Sequence, residues 1–364
     1  MAFTTAINEI LALPGKVNPV QYAKTRNYSD GSVSRLSPYI SRGVISLPFI
    51  FATIRERYSM ADSMKFLQEL AWREYFQRVW EYKAEKIFTD LKFPQADVLH
   101  YETPSAVIQA NTGIHIIDKQ IRQLYDSGYL HNHLRMYIAS MVCNTGKAHW
   151  HNPSRWMYYH LFDGDIASNT LSWQWVAGSF ASKKYFCNQD NINAYTKTYQ
   201  SGTFLDKPYE LLPHTKLPDT LRSTELFEAS TRLPEVTDTI NEPVEKIFIY
   251  NHYQLDPNWR SDEKGMRILL LEPDHFNKFP ISNKVLDFSL ALAANINGIR
   301  VFTGSWEDLC KKFPLAVFHY IRHPAFTHYR GIADEPQRLF PEVKGYYPSF
   351  SAYWKKCSKY IDLL

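Results

Sequence analysis

Residues 163–178 read DGDIASNTLSWQWVAG, a stretch that combines two acids, an amide and two tryptophans. A structural core would fill such a segment with aliphatic side chains. An acid that ends in a pocket usually holds a cation or a polar ligand, because an isolated buried carboxylate is costly. The flat indoles of Trp173 and Trp175, two residues apart, could face one pocket from a turn or opposite sides of an extended segment. The stretch therefore predicts a site for a flat ligand with polar edges.

The chain has 364 residues, enough for two domains and a large core. Its net charge of +4 is compatible with a nucleic-acid-binding face but does not establish one. The four cysteines are widely spaced, which is typical of a reduced, cytoplasmic protein. The N-terminal residues show no basic stretch before an apolar run, so we expect no signal peptide, and the apolar stretch near 44–54 is too short for a bilayer. We expect a cytoplasmic monomer without a membrane partner.

Residues 1–200 show the apolar spacing of helices, most clearly at 64–82, 114–125 and 131–143. Prolines mixed with polar residues then dominate residues 201–244. This composition predicts an extended linker, with one short helix at 223–230.

The C-terminal part, residues 245–364, has a different pattern. Apolar runs of strand length occur at 247–250, 268–271, 299–302 and 316–320. Stretches with helical spacing, at 283–295 and 305–313, alternate with them, which predicts a small parallel, Rossmann-like α/β sheet. We find no Gly-x-Gly-x-x-Gly or P-loop motif there. The predicted fold class is thus mainly α: a helical domain, a linker and a small α/β domain.

Within helix 64–82, the side chains of Glu69, Trp72, Arg73 and Phe76 fall three and four residues apart and share one face. Glu69 and Arg73 could form a surface ion pair beside a core tryptophan. Alternatively, the guanidinium could point at a phosphate, with the carboxylate and the indole at the mouth of a pocket. The residues alone leave both interpretations open.

A second helix places Asn132, Arg135 and Met136 on one face. Arg135 could supply the positive charge that Asp163 or Asp165 would need in a pocket.

The stretch SVSRLSPYISRG at 32–43 has small hydroxyl residues before a proline, a pattern that starts helices. Ser34 and Ser37 could act as ordinary caps. They could also help free N–H groups to bind a diphosphate.

Other catalytic motifs are missing from the sequence. The HNH tripeptide at 131–133 occurs in metal nucleases, but the chain supplies none of that motif's remaining ligands. The His-Glu-x-x-His and Gly-x-Ser-x-Gly motifs are also absent. We expect no metal.

The order and combination of these segments resembles the DNA photolyase/cryptochrome family over roughly residues 18–200, the region of its helical FAD-binding domain. The matching pieces are SRLSPY at 34–39, ELAWREY at 69–75, TG at 112–113, GYLHNHLRM at 128–136, DGDIASN at 163–169 and WQW at 173–175. From residue 113 to residue 175 the spacing needs no gap against the family pattern.

The resemblance implies FAD as the cofactor. One group of residues would hold the diphosphate and neighbouring parts of a U-folded FAD: Tyr22, Ser34, Leu36, Ser37 and Arg73. A second group would surround the isoalloxazine and ribityl parts, with Arg135 paired to Asp163 and Asn169 beside the flavin N5: Asn132, Arg135, Asp163, Asp165 and Asn169.

The resemblance also implies a pocket for a flipped-out cyclobutane pyrimidine dimer, formed by Glu69, Trp72, Asn132, Met136 and Trp175. Arg26 matches a contact to DNA phosphate. A (6-4) lesion is a less expected substrate, since those enzymes tend to carry histidine at the position of Asn132. The implied function is light-driven, FAD-dependent repair of cyclobutane pyrimidine dimers in DNA. The alternatives are a non-repairing, cryptochrome-like blue-light or redox sensor and a nucleic-acid-binding module without turnover.

The chain departs from the family pattern at several positions. Trp173 and Trp150 match the first two members of the family's electron-transfer chain, but the third position has no tryptophan. Tyr101 or Trp156 could take its place. His133 and Asn188 occupy two further positions where the family can carry DNA-binding arginines.

The domain order also departs from the family, which usually places an α/β antenna domain before the helical domain. Here the α/β pattern follows the helical part, and residues 347–357 resemble the helix that normally connects the two. We therefore expect domains at 1–200, for FAD binding and catalysis, and at 245–364, for a relocated and reduced antenna-like unit, joined by a linker at 201–244.

Overall fold

The computed structural model describes residues 3–235 and 244–364. Within these ranges the helices are α1 (Ile7–Ala12), α2 (Pro19–Thr25), α3 (Ser37–Ser41), α4 (Leu47–Arg55), α5 (Met60–Lys83), α6 (Ser105–Ile108), α7 (His115–Ser127), α8 (Asn132–Ser140), α9 (His151–His160), α10 (Ile166–Ala177), α11 (Gln189–Thr196), α12 (Pro273–Lys278), α13 (Asn283–Ala293), α14 (Trp306–Lys312) and α15 (Phe350–Cys357). The strands are β1 (Thr103–Pro104), β2 (Thr224–Glu225), β3 (Lys246–Tyr250), β4 (Met266–Leu271), β5 (Ile299–Thr303), β6 (Val317–Ile321) and β7 (Ile332–Asp334).

Helix α5 is the central element of the helical part and contacts α2, α4, α10 and α15. It begins where the Ser59 side chain accepts a hydrogen bond from the Asp62 backbone N–H, an N-cap that satisfies a free donor of the first turn. Phe66, Leu67 and Leu70 on its inner face are buried. The helix predicted at 64–82 is confirmed. Although α5 has 24 residues, neither it nor another helix in the described ranges is apolar enough to cross a membrane.

The C-terminal part forms a parallel sheet of five strands in the order β5-β4-β3-β6-β7. The four strands predicted from apolar runs are confirmed, as are the helices α13 and α14 between them. The short strand β7 was not predicted, because its sequence, Ile-Ala-Asp, is too brief to show a pattern. A mainly helical protein with a parallel α/β sheet is therefore confirmed as the fold class.

The segment 201–222 packs on the helical part. Leu205, Leu212 and Leu221 are fully buried there, in the same core as the apolar face of α7. The helix predicted at 223–230 is wrong, because β2 pairs antiparallel with β1 and Phe227 N–H donates to the Asn152 side chain instead of continuing a helical pattern. The end of the predicted linker, residues 236–243, lies outside the described residues. The domain boundaries therefore stay predictions.

The two parts share one hydrophobic core, which runs from α3, α4 and α5 into the sheet. At its centre the buried carboxylate of Glu74 accepts hydrogen bonds from Arg78, 3.0 Å away, and from the Tyr353 hydroxyl of α15, 2.7 Å away. The backbone N–H groups of Leu339 and Phe340 donate to the same carboxylate. Glu74 therefore connects residues 339–340 and α15 to α5.

We expect Glu74→Ala to lower the free energy of unfolding by about 3–5 kcal/mol, because it leaves the Arg78 guanidinium buried without its partner. Tyr353→Phe is the matched control and removes one hydrogen bond to the same carboxylate, at about 1 kcal/mol. Urea unfolding of the two variants and the parent measures both values. Equal losses in the two variants would contradict the assignment of Glu74 as the centre of this contact.

Candidate functional site

A cavity of about 690 Å³ opens in the helical part. Its walls come from α2, the 33–37 segment, α5, α8, the 161–165 loop and α10. This volume lies within the roughly 300–1,000 Å³ of small-molecule and cofactor pockets. The cavity brings together most of the residues predicted from sequence: Tyr22, Arg26, Ser34, Ser37, Glu69, Trp72, Arg73, Asn132, Arg135, Met136, Asp163, Asp165, Asn169, Trp173 and Trp175.

Two of the predicted residues do not line this cavity. The Leu36 side chain is fully buried in the apolar core, at the residue that precedes α3. The Trp150 indole is also fully buried, in the second apolar core. Neither side chain can therefore touch a ligand directly, and a role for Leu36 could come only from its backbone.

The strongest ion pair of the site joins Asp163 to Arg135. One terminal nitrogen of Arg135 lies 2.9 Å from both carboxylate oxygens, and Arg135 Nε donates to the Leu130 carbonyl at 2.8 Å. The Asp163 side chain is only 5% exposed, and a buried carboxylate of this kind is stabilised by a paired cation. The residues alone left open whether Arg135 pairs with Asp163 or with Asp165. In the structure its partner is Asp163.

Asp165 has a different role, as the N-cap of α10. One of its oxygens accepts the Ser168 backbone N–H at 2.7 Å, and the other accepts from the Gln77 amide. Arg73 lies 3.7 Å from the second oxygen and donates to the Ser41 hydroxyl. The carboxylate thereby fixes both the start of α10 and the position of Arg73 on the cavity wall.

These contacts decide between the two interpretations of the Glu69–Arg73 face. Glu69 pairs with Arg26 at 3.4 Å and with Lys65 at 3.0 Å, whereas Arg73 turns to Asp165. The simple surface pair between Glu69 and Arg73 is therefore wrong. Glu69 and Arg26 lie together in the cavity wall, with Arg26 23% exposed.

Two buried polar atoms in the lining have no hydrogen-bond partner in the described protein, His131 Nε2 and Ser168 Oγ. Burial lowers the pKa of His131 to about 4, so its imidazole is neutral near pH 7 and can donate or accept a proton. Unpaired buried polar groups are costly, which indicates that a ligand with its own donors and acceptors completes them. With Arg73 and Arg135 as cations for an anionic part, the lining fits FAD.

The residues predicted to surround a lesion form one part of the wall. The Trp72 indole stacks on Phe350 of α15, with ring centroids 3.9 Å apart and planes within 10°. Trp175, 36% exposed, lies near the Tyr185 ring. One indole is thus held by the C-terminal segment while the other remains accessible to solvent.

Sequence reasoning missed several lining residues: Arg35, Tyr129, His131 and Tyr195. Arg35 has a φ of +53° and its guanidinium lies 5.4 Å from the centre of the Tyr129 ring. Arg35, Tyr129 and His131 stand inside the quoted motif segments, so the signal was present but unused. Tyr195 has no such signal, because only the fold brings α11 to the cavity.

A series of aromatic ring contacts leads from Trp150 through His149 to Tyr101 at the surface. Trp173 lies on the cavity wall, and the next predicted member, Trp150, donates its indole N–H to Asp90 at 2.7 Å. The His149 ring lies 5.4 Å from Trp150 and 5.1 Å from Tyr101, which is 67% exposed.

The other sequence candidate, Trp156, lies elsewhere. It is fully buried and donates its indole N–H to the Tyr125 hydroxyl at 3.0 Å.

No group of three or more His, Cys, Asp or Glu side chains in residues 3–235 and 244–364 could hold a metal ion. His131 and His133 instead donate or accept bonds within α8 and with the Asn27 carbonyl.

The helical part gathers these cations, acids and unpaired polar atoms around one cavity, a lining that suits a ligand with anionic and polar parts such as a flavin dinucleotide. Residues 66–213 match the family model described as the FAD binding domain of DNA photolyase. FAD is therefore the cofactor of this site.

The deoxyribodipyrimidine photo-lyase of Streptomyces griseus is 31% identical over 166 residues, 42% of this chain and 35% of the relative. That of Alkalihalophilus pseudofirmus is 32% identical over 196 residues, 50% of this chain and 40% of the relative. The chain thus spans well under half the length of these relatives. A Synechocystis cryptochrome structure, 24% identical, covers 54% of this chain and 44% of its own with a TM-score of 0.47. Over residues 66–213 the chain is thus similar to the FAD-binding domain of the photolyase/cryptochrome family.

We expect Asp163→Asn to raise the dissociation constant of FAD about tenfold or more, because Arg135 loses the charge that orients it. Fluorescence titration of the flavin-free protein measures this constant. Asp190→Asn is the control, since Asp190 is exposed on α11 and does not line the cavity. An unchanged constant in Asp163→Asn would separate this ion pair from FAD binding.

Proposed function

We propose that this protein repairs cyclobutane pyrimidine dimers in DNA, using FAD and light. One observation carries the proposal: the five residues of the implied lesion pocket line the same cavity as the FAD-site residues. These five are Glu69, Trp72, Asn132, Met136 and Trp175. A flavin bound beside Arg135 and Asp163 would therefore share a wall with the group that receives the damaged bases.

The residue types suit a base turned out of the duplex. A dimer stacks and pairs poorly, so extruding it costs only a few kcal/mol. Stacking on the indoles of Trp72 and Trp175 can offset part of that cost, at about 1–3 kcal/mol per base. Phe350 behind Trp72 keeps that indole in one orientation, so little side-chain entropy is lost on binding.

When bound and reduced, FAD supplies the electron that opens the cyclobutane ring after light absorption, and it recovers that electron afterwards. The protein's residues hold the lesion and adjust its charge. Glu69 can hydrogen-bond the pyrimidine edge, and Asn132 offers both a donor and an acceptor. Arg26, which pairs with Glu69, keeps the carboxylate charge compensated and lies where a DNA phosphate could approach.

The test uses an oligonucleotide with one thymine dimer, incubated with the reduced protein under blue light. We expect the thymine absorbance to return and intact thymine to appear by chromatography. A dark sample and an undamaged oligonucleotide serve as controls. Full loading with reduced FAD but no repair would favour the alternative, a blue-light sensor whose flavin alters a partner surface.

Glu69→Gln should lower the repair rate about tenfold, the loss expected when a hydrogen bond from a charged group is weakened. The matched control is Glu85→Gln, which also removes a surface carboxylate paired with a lysine but lies outside the cavity. A Glu69→Gln protein that repairs at the parent's rate would show that this carboxylate has no part in the reaction.

We further propose that electrons reach the cavity from the surface through Tyr101, His149, Trp150 and Trp173. Tyr101 is the exposed end of the ring contacts that reach Trp150, whereas Trp156 is buried and bonded to Tyr125.

In this scheme, Tyr101→Phe and Trp173→Phe should both slow reduction of bound FAD by an external thiol under light, followed by absorbance. Trp156→Phe, the control, should photoreduce at the parent's rate. Repair by chemically reduced Tyr101→Phe should be unchanged. If Trp156→Phe slows photoreduction and Tyr101→Phe does not, the electrons pass through Trp156 and not through Tyr101.

A further inference from the structure

Arg42 is a fully buried cation at the C-terminal end of α3. Its Nε donates to the Phe162 carbonyl at 3.0 Å, and one terminal nitrogen donates to the Gly164 carbonyl at 2.6 Å. The neighbouring Ser41 hydroxyl donates to the Asp163 carbonyl at 2.8 Å. Three consecutive carbonyls of one loop therefore accept hydrogen bonds from two adjacent side chains.

This loop, residues 161–165, connects α9 to α10 without regular structure and carries both acids of the FAD site. A loop lacks the repeating backbone hydrogen bonds that fix peptide planes in a helix. The bonds from Ser41 and Arg42 fix these planes instead. The directions in which Asp163 and Asp165 leave the backbone follow from them.

The charge of Arg42 has an unusual environment. None of the ion pairs among the described residues includes it, although a buried cation normally needs a carboxylate. Its compensation comes from the carbonyl dipoles of the 161–165 loop, from the ring and carbonyl of His252, and from the face of the Tyr253 ring, 5.6 Å away. Displacing the loop would therefore leave the guanidinium buried and poorly compensated.

The other side of Arg42 is covered by the turn after β3. The His252 ring contacts the guanidinium, and the Leu255 N–H donates to the Arg42 carbonyl at 2.9 Å. Gly43 has a φ of +61°, and a Cβ there would lie 2.4 Å from the Tyr253 carbonyl oxygen. The turn at 251–255 thus approaches α3 as closely as the backbone allows.

None of the described residues after Tyr195 lines the FAD cavity. We propose that Arg42 is a positioning residue for Asp163 and Asp165, and that the 251–255 turn holds it in place. Through this contact the α/β part contributes to FAD binding without touching the cofactor. The proposal depends on FAD binding and is independent of whether the protein repairs DNA.

The experiment measures the FAD dissociation constant of the full-length protein in the dark, corrected for the folded fraction, together with the visible circular dichroism of the bound flavin. Arg42→Met should raise the constant about tenfold, equivalent to one lost hydrogen bond from a charged group, and change the dichroism. Arg42→Lys should restore part of the affinity, since an ammonium can reach one carbonyl. In the double variant Arg42→Met/Asp163→Asn, the loss of FAD binding free energy should be smaller than the sum of the losses in the two single variants, because both residues act on one loop.

The matched control is Arg78→Met. Arg78 is also buried and donates to a backbone carbonyl, that of Phe340, but it touches no residue of the loop. It should lower thermal stability and leave the constant and the dichroism of folded protein unchanged. If Arg42→Met behaves in the same way, Arg42 has only a structural role and the proposal fails.

If Arg42→Met does not fold, His252→Ala tests the same contact while keeping the guanidinium. It should raise the FAD dissociation constant a few-fold, by loosening the cover over Arg42. A constant equal to that of the parent in folded His252→Ala would overturn the contribution of the α/β part.

Discussion

The bond between Arg135 and Asp163 is the constraint on which the proposed FAD site depends. It joins α8 to the loop before α10, so two helices meet at one bidentate contact. The carboxylate is nearly inaccessible to solvent, and Arg135 is the cation that compensates its charge. Asp165, two residues later, uses its charge differently, by capping α10 and orienting Arg73. A three-residue sequence, Asp-Gly-Asp, thereby fixes two cations around one cavity.

Much of this arrangement could be predicted from the sequence. Helical spacing placed Glu69, Trp72 and Arg73 on one face, and the motif segments contain more than half of the lining residues. The strands and helices of the sheet followed from short apolar runs that alternate with amphipathic stretches. These predictions are correct because each helix or strand buries one face. The apolar residues of that face therefore recur with the period of the element.

The rest could not be predicted, because it arises between residues far apart in the chain. Leu36 belongs to a matching motif, yet its side chain is buried in the core, and the motif does not distinguish side-chain contact from backbone contact. The segment at 223–230 has no strong pattern, and pairing with β1 decided its conformation. Arg42 carries no local signal either. Its role needs the 161–165 loop on one side and His252 on the other, separated by 210 residues from Arg42.

Two parts of the C-terminal half, the 251–255 turn and α15, support the cavity wall. The two contacts have different physical consequences. The 251–255 turn contacts Arg42, which supports the charged 161–165 loop. Displacing the turn would therefore weaken the electrostatic compensation of a buried charge. Helix α15 supports the Trp72 indole through Phe350. Displacing α15 would therefore remove this packing and leave the indole more mobile. The first contact governs the cofactor side and the second the side proposed for the lesion. Both contacts belong to one apolar core, since Tyr253 and Leu255 of the 251–255 turn and Tyr353 of α15 are buried in it.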